Sequence, residues 1–62
     1  MNNKNKYFIV YSTTSINDSD IESCKRAALA RNCLYPTYED GLKAAEVIPL
    51  SYDVMILSID EY

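Results

Sequence analysis

The sequence predicts an α+β fold of order β-α-α-β, with a two-stranded antiparallel sheet covered on one face by two helices. Three observations predict it. Tyr7-Phe8-Ile9-Val10-Tyr11 and Val54-Met55-Ile56-Leu57-Ser58-Ile59 are rich in aromatic and β-branched residues and lie near opposite ends of a 62-residue chain. Between them stand two patterns with helical spacing and good capping residues. Pro36 and Pro49 punctuate those patterns where a helix must start or stop.

The first strand is read over Lys6 to Ser12, after a polar segment, residues 1–5, expected to be frayed. Thr13 to Asp18 connects it to a helix that begins near Ser19. There Ser19-Asp20-Ile21-Glu22 fits a capping box, in which Ser19 and Glu22 satisfy each other's free backbone N–H groups. Asp18 and Asp20 suit the positive end of the helix dipole, and Glu22 with Arg26 makes a favourable i,i+4 pair. Ile21, Cys24 and Ala28 share one face with Leu29 at its edge, a face of small residues that permits close approach. The helix is expected to stop near Asn32.

Cys33-Leu34-Tyr35 reads either as a connection or as a short third strand, which would give β-α-β-α-β with parallel pairing. The simpler order is preferred, because the alternative needs two crossovers in a very short chain. Thr37 caps the second helix, with Asp40 three residues on. Tyr38, Gly41, Leu42, Ala45 and Ile48 form its apolar stripe, which places Tyr38 in the core. Gly41 is the only glycine. It reads either as a point of close backbone packing or as a tolerated defect that costs about 1 kcal/mol against alanine. Pro49 ends this helix, and Tyr52 to Asp60 is the last strand.

Both strands are apolar on both faces, whereas a half-buried strand alternates apolar with polar. Phe8 and Val10 form one face of the first strand, and Tyr7, Ile9 and Tyr11 form the other. The last strand divides into Tyr52, Val54 and Ile56 against Met55, Leu57 and Ile59. Two helices seal one pair of faces, so the reading leaves the other for a partner. Phe8 and Val10 are expected to meet the second helix. Tyr7, Ile9 and Tyr11 are expected to meet a second chain, in a homodimer formed through a strand edge or a sheet face. Tyr7, Ile9, Tyr11, Tyr52, Met55, Leu57 and Ile59 are the candidate interface residues. Six tyrosines in so short a chain point the same way, since tyrosine joins a large apolar body to a polar tip.

Composition narrows the function classes. The formal net charge is −3, and the six Lys and Arg residues are scattered, which argues against nucleic-acid binding. With no His, the usual general base near neutral pH is missing. The hydroxyl cluster Ser12, Thr13, Thr14 and Ser15 has no evident activating base. One glycine cannot write a phosphate-cradling loop. Asp18 with Asp20, and Asp60 with Glu61, are better explained by capping and tail solvation than by a bound cation. No enzyme activity, metal or cofactor is expected. Cys24 and Cys33 would stand about 13 Å apart and on opposite sides of a continuous helix, beyond the roughly 4.4–6.8 Å between Cα atoms that a disulfide needs. Free thiols, without a signal-peptide pattern or a run of about 18 apolar residues, suggest a single soluble domain in a reducing cytoplasm, with no membrane partner.

The succession of Lys6-Tyr7-Phe8-Ile9-Val10-Tyr11, a capped Ala-rich helix, and Thr37-Tyr38-Glu39-Asp40-Gly41-Leu42-Lys43-Ala44-Ala45 resembles the style of small accessory proteins of tailed bacteriophages. The resemblance covers most of the chain and rests on pattern rather than on a diagnostic motif. It implies a host-takeover or anti-defence role, in which the chain binds and inhibits a bacterial host protein in the host cytoplasm. The leading expectation is therefore a protein-binding module acting by occlusion. A structural subunit of a larger assembly, or a small-ligand sequestering module at a dimer interface, are the alternatives.

Overall fold

The computed structural model describes residues 5–62, and the expectation of fraying at residues 1–4 lies outside them. The elements follow the order β1 (Tyr7–Ser12), α1 (Asp18–Ala30), α2 (Tyr38–Ala45) and β2 (Asp53–Ser58). The strands pair antiparallel, with Tyr7 opposite Ser58, Ile9 opposite Ile56 and Tyr11 opposite Val54. The Ile59 N–H donates to the Lys6 carbonyl at 2.8 Å and carries the ladder one residue further. Both helices pack on this sheet.

α1 starts two residues earlier than the sequence suggested. Asn17 is the cap: its side chain accepts from the Asp20 N–H at 3.0 Å, and the Asp20 carboxylate accepts from the Asn17 N–H at 3.1 Å. Asn17-Asp18-Ser19-Asp20 and Ser19-Asp20-Ile21-Glu22 are overlapping boxes of equal quality. The earlier one wins because it adds helical hydrogen bonds, beginning with Ile21 N–H to Asn17 carbonyl at 3.1 Å. It also sets Asp18 and Asp20 in the first turn against the helix dipole. Glu22 is thereby released to pair with Arg26 at 3.1 Å, as its spacing predicts.

The far end of α1 closes with a Schellman motif. Asn32 adopts φ 53°, the left-handed region that asparagine tolerates. The Asn32 N–H donates to the Leu29 carbonyl and the Cys33 N–H to the Ala28 carbonyl, at 3.3 and 2.8 Å. The chain then runs along the outer edge of β1. The Lys6 and Tyr7 N–H groups both donate to the Tyr35 carbonyl at 3.0 Å, and the Tyr35 N–H donates to the Tyr7 carbonyl at 2.9 Å. Residues 33–35 thus supply one antiparallel bridge rather than a third strand.

That passage decides how the sheet is covered. Cross-strand partners in an antiparallel pair point to one face, and successive residues alternate. Phe8, Val10, Met55 and Leu57 therefore share one face, and Tyr7, Ile9, Tyr11, Val54, Ile56 and Ser58 share the other. Phe8 and Val10 are fully buried and pack with Ala28, Ile21 and Cys24 of α1. α2 lies over the opposite face, where Gly41 presses on Ile56. No α1 Cα comes within 8 Å of an α2 Cα. The fold class and element order are as predicted, but the assignment of faces is corrected. Phe8 and Val10 meet α1, not the second helix, and Ile9 and Ile56 lie under α2 rather than waiting for a second chain. The physical reason lies in the strands themselves. Strands apolar on both faces need cover on both, and the chain supplies it by wrapping the β1 edge between its helices.

Thr37 caps α2 as predicted, accepting from the Asp40 N–H at 3.1 Å. The helix stops at Ala45, short of Pro49, so Ile48 follows in a turn whose N–H donates to the Ala45 carbonyl at 3.0 Å. Only Gly41 and Ala45 of its stripe are buried. Tyr38 is 47% exposed, which corrects its placement in the core. A helix seated on its smallest residues sits so close to the sheet that larger neighbours on the stripe are pushed to its flanks.

At Gly41 a Cβ would stand 2.8 Å from Ile56 Cγ2. That methyl is on a β-branched carbon with one stiff torsion and cannot swing aside. Gly41→Ala is therefore expected to destabilise the fold by about 1–2 kcal/mol in urea denaturation. The overpacking penalty outweighs the ~1 kcal/mol of helix propensity that alanine adds. The same measurement separates the two capping boxes. Asn17→Ala should cost about 1 kcal/mol, whereas Ser19→Ala should stay within about 0.5 kcal/mol, as for a surface position.

Candidate interaction surface

The seven candidate interface residues do not form one surface. Tyr7, Ile9 and Tyr11 point to the α2 side of the sheet, whereas Met55, Leu57 and Ile59 point to the α1 side. Leu57 and Ile59 are half-buried and pack on the Phe8, Val10 and Ala28 cluster, so their role is structural. Tyr7 and Ile9 are half-buried as well. Tyr11, 51% exposed, and Met55, 38% exposed, remain largely accessible.

Tyr11 and Tyr52 come together. Their ring centroids are 6.1 Å apart with planes inclined at 50°, a tilted aromatic pair at the end of the sheet where β1 leaves and β2 enters. Tyr52 belongs to the connection from α2 to β2, where its N–H donates to the Pro49 carbonyl at 3.0 Å. The same connection carries two apolar side chains that sequence reasoning passed over: Val47, 88% exposed, and Leu50, 103% exposed. Both fall outside the helical stripe and beside Pro49, in a segment read only as a helix end. An aliphatic residue on each side of Pro49 was the available signal.

Two grooves open beside α1. One, of about 410 Å³, is lined by Ile21, Lys25, Leu29 and Tyr62 among others, and the Lys25 ammonium donates to the Tyr62 carbonyl there. The other, of about 230 Å³, lies between α1 and the β1 edge and is lined by Ile9, Tyr11, Cys24, Arg31, Cys33 and Tyr35 among others. Among the described residues no three His, Cys, Asp or Glu side chains gather as a metal site, and no helix is long and apolar enough to cross a membrane. The charged pairs, Lys6 with Asp60 at 3.3 Å and Arg26 with Glu22, are solvent-exposed and contribute little to stability.

Compared with protein-family models, with curated proteins and with solved structures, the chain matches none. Its own surface is therefore what bears on function.

The division between packed and presented side chains is measurable. Leu57→Ala should lower stability by about 2 kcal/mol or more through the cavity it leaves. Leu50→Ala should change it by less than about 0.5 kcal/mol. Chemical denaturation of the two variants checks both values.

Proposed function

We propose that the chain is a protein-binding module that acts by occlusion, with the α2–β2 connection and the adjoining tyrosine pair as its contact surface. The observation that carries the reading is the exposure of Val47 and Leu50, 88% and 103%, on a connection that also holds Tyr52 against Tyr11. Single exposed aliphatics are ordinary. Here two stand on the short connection that also carries Tyr52, and aromatic anchors seated in well-packed pockets dominate binding energy in protein interfaces. The resemblance to small accessory proteins of tailed bacteriophages supplies the class of partner, a bacterial host protein, and the mode of action, inhibition of that protein in the host cytoplasm.

Self-association is a second reading, favoured by the outer edge of β2. Among the described residues that edge has no strand neighbour, whereas the β1 edge is met by Tyr35. Two β2 edges related by a twofold axis would join antiparallel and make a four-stranded sheet.

The double variant Val47→Asp/Leu50→Asp tests the first reading. It should keep the circular dichroism spectrum and urea midpoint of the wild type. It should also lose, by about tenfold or more, the retention of any host protein that the wild type captures stoichiometrically. Equal retention by the two forms overturns the assignment of the surface. Light scattering on a size-exclusion column decides the second reading: a dimeric mass supports pairing at the β2 edge, and a monomer removes it.

A further inference from the structure

Along its full length β1 is paired on one edge only. The Lys6 carbonyl accepts from the Ile59 N–H, so the backbone groups of Phe8 and Val10 turn toward β2, and alternation turns those of Tyr7, Ile9 and Tyr11 outward. Tyr7 agrees with this phase, since its N–H and carbonyl both bond to Tyr35. Continued antiparallel pairing would set Cys33 opposite Ile9. The chain leaves the edge before that. Asn32 turns the backbone with φ 53°, and the Cys33 N–H donates to the Ala28 carbonyl at 2.8 Å, toward α1. Among the described residues nothing therefore bonds to the outward backbone groups of Ile9 and Tyr11. Both residues line the groove of about 230 Å³ beside α1. Arg31 lines it as well, exposed and without an acidic partner among the described residues.

We propose that this groove binds the C-terminal end of an extended protein segment, which adds to the β1 edge as a short antiparallel strand with its terminal carboxylate on Arg31. The open N–H and carbonyl groups of Ile9 and Tyr11 are the ladder it joins, and main-chain bonds of this kind supply affinity in strand addition. Charge sets the direction. An antiparallel strand at this edge runs the way residues 33–35 run, so its C-terminal end arrives at the segment that carries Arg31 and Cys33. That segment and the Tyr7–Tyr35 bridge occupy the edge beyond, and the added strand has to finish there. A finishing C-terminus brings a carboxylate to the guanidinium, a charge-assisted contact that arginine makes with both oxygens. A parallel strand would bring an N-terminal ammonium against the same cation. The walls set the side chains. Successive residues of the added strand would face Ala27 and Ala28 on the α1 side and Ile48 on the α2 side, which suits small or branched apolar groups. The proposal does not depend on Val47 and Leu50 being a contact surface.

The test is an NMR titration of the 15N-labelled protein with an N-acetylated pentapeptide of alternating threonine and valine that ends in valine. The peptide is prepared both as the free acid and as the C-terminal amide. The free acid should shift the Ile9 and Tyr11 amide resonances saturably, and the amide should bind about tenfold more weakly or less. Arg31→Gln should keep the wild-type spectrum before peptide is added and lose affinity for the free acid by a similar factor. No saturable shift at Ile9 and Tyr11 with the free acid overturns the site, as do shifts confined to the outer edge of β2. Equal affinity for acid and amide overturns the role of the carboxylate. Movement of the Ile9 and Tyr11 resonances on dilution of the protein alone would make a second copy of the chain the occupant, and overturns the proposal too. The wild-type titrations decide, so the result does not depend on the folding of the Arg31 variant.

Discussion

A sheet of two strands that is apolar on both sides is the constraint from which the rest of the architecture follows. Phe8 and Val10 on one side, and Ile9 and Ile56 on the other, each need removal from water. Two helices stacked together on one side would leave half of that demand unmet. The chain resolves it by sending α1 down one face and bringing α2 back along the other. The bridge from Tyr7 to Tyr35 marks where it crosses the edge. Apolar cover, edge protection and the separation of the helices are thus one solution rather than three features.

The two helices meet the sheet by different means. α1 contributes Ile21, Cys24 and Ala28 to a cluster around two large, fully buried strand residues, so the bulk on that side comes from the sheet. α2 contributes almost no bulk and instead approaches closely, with its glycine against a branched side chain. Close approach buries backbone and Cβ atoms but leaves the longer side chains of α2 at the margins, which is why Tyr38 and Leu42 remain 47% and 45% exposed. The outward display of apolar groups near α2 is in part a consequence of how tightly the helix is seated.

Much of this was legible from residue types. The strands, the Thr37 cap, the Glu22–Arg26 pair and the order of elements follow from local patterns that act within a few residues. Gly41 showed as a candidate contact, although the pattern could not separate contact from defect. The cap of α1 was read at Ser19 but stands at Asn17, because Asn17 opens an overlapping box that lengthens the helix. The assignment of faces was not legible at all. Periodicity says that Ile9 and Phe8 point opposite ways, but not which helix each will meet. That depends on the turn at Asn32 and the bridge at Tyr35, neither of which leaves a periodic trace. Of the candidate interface residues, Tyr11 and Tyr52 stand together at the end of the sheet. Leu57 and Ile59 pack against the core cluster instead, because the sheet's second cover was unforeseen.

The register that joins Tyr7 to Ser58 also has a kinetic meaning. β1 and β2 are neighbours, so the sheet closes a loop that contains both helices. Pairings of such long range raise relative contact order and slow folding, because the entropy of closure is lost before the contacts form. α1 can settle on β1 early, since a short connection separates them. β2 can dock only after everything before it has been synthesised. Until then Ile9 and the backbone groups on the inner edge of β1 lack their partners.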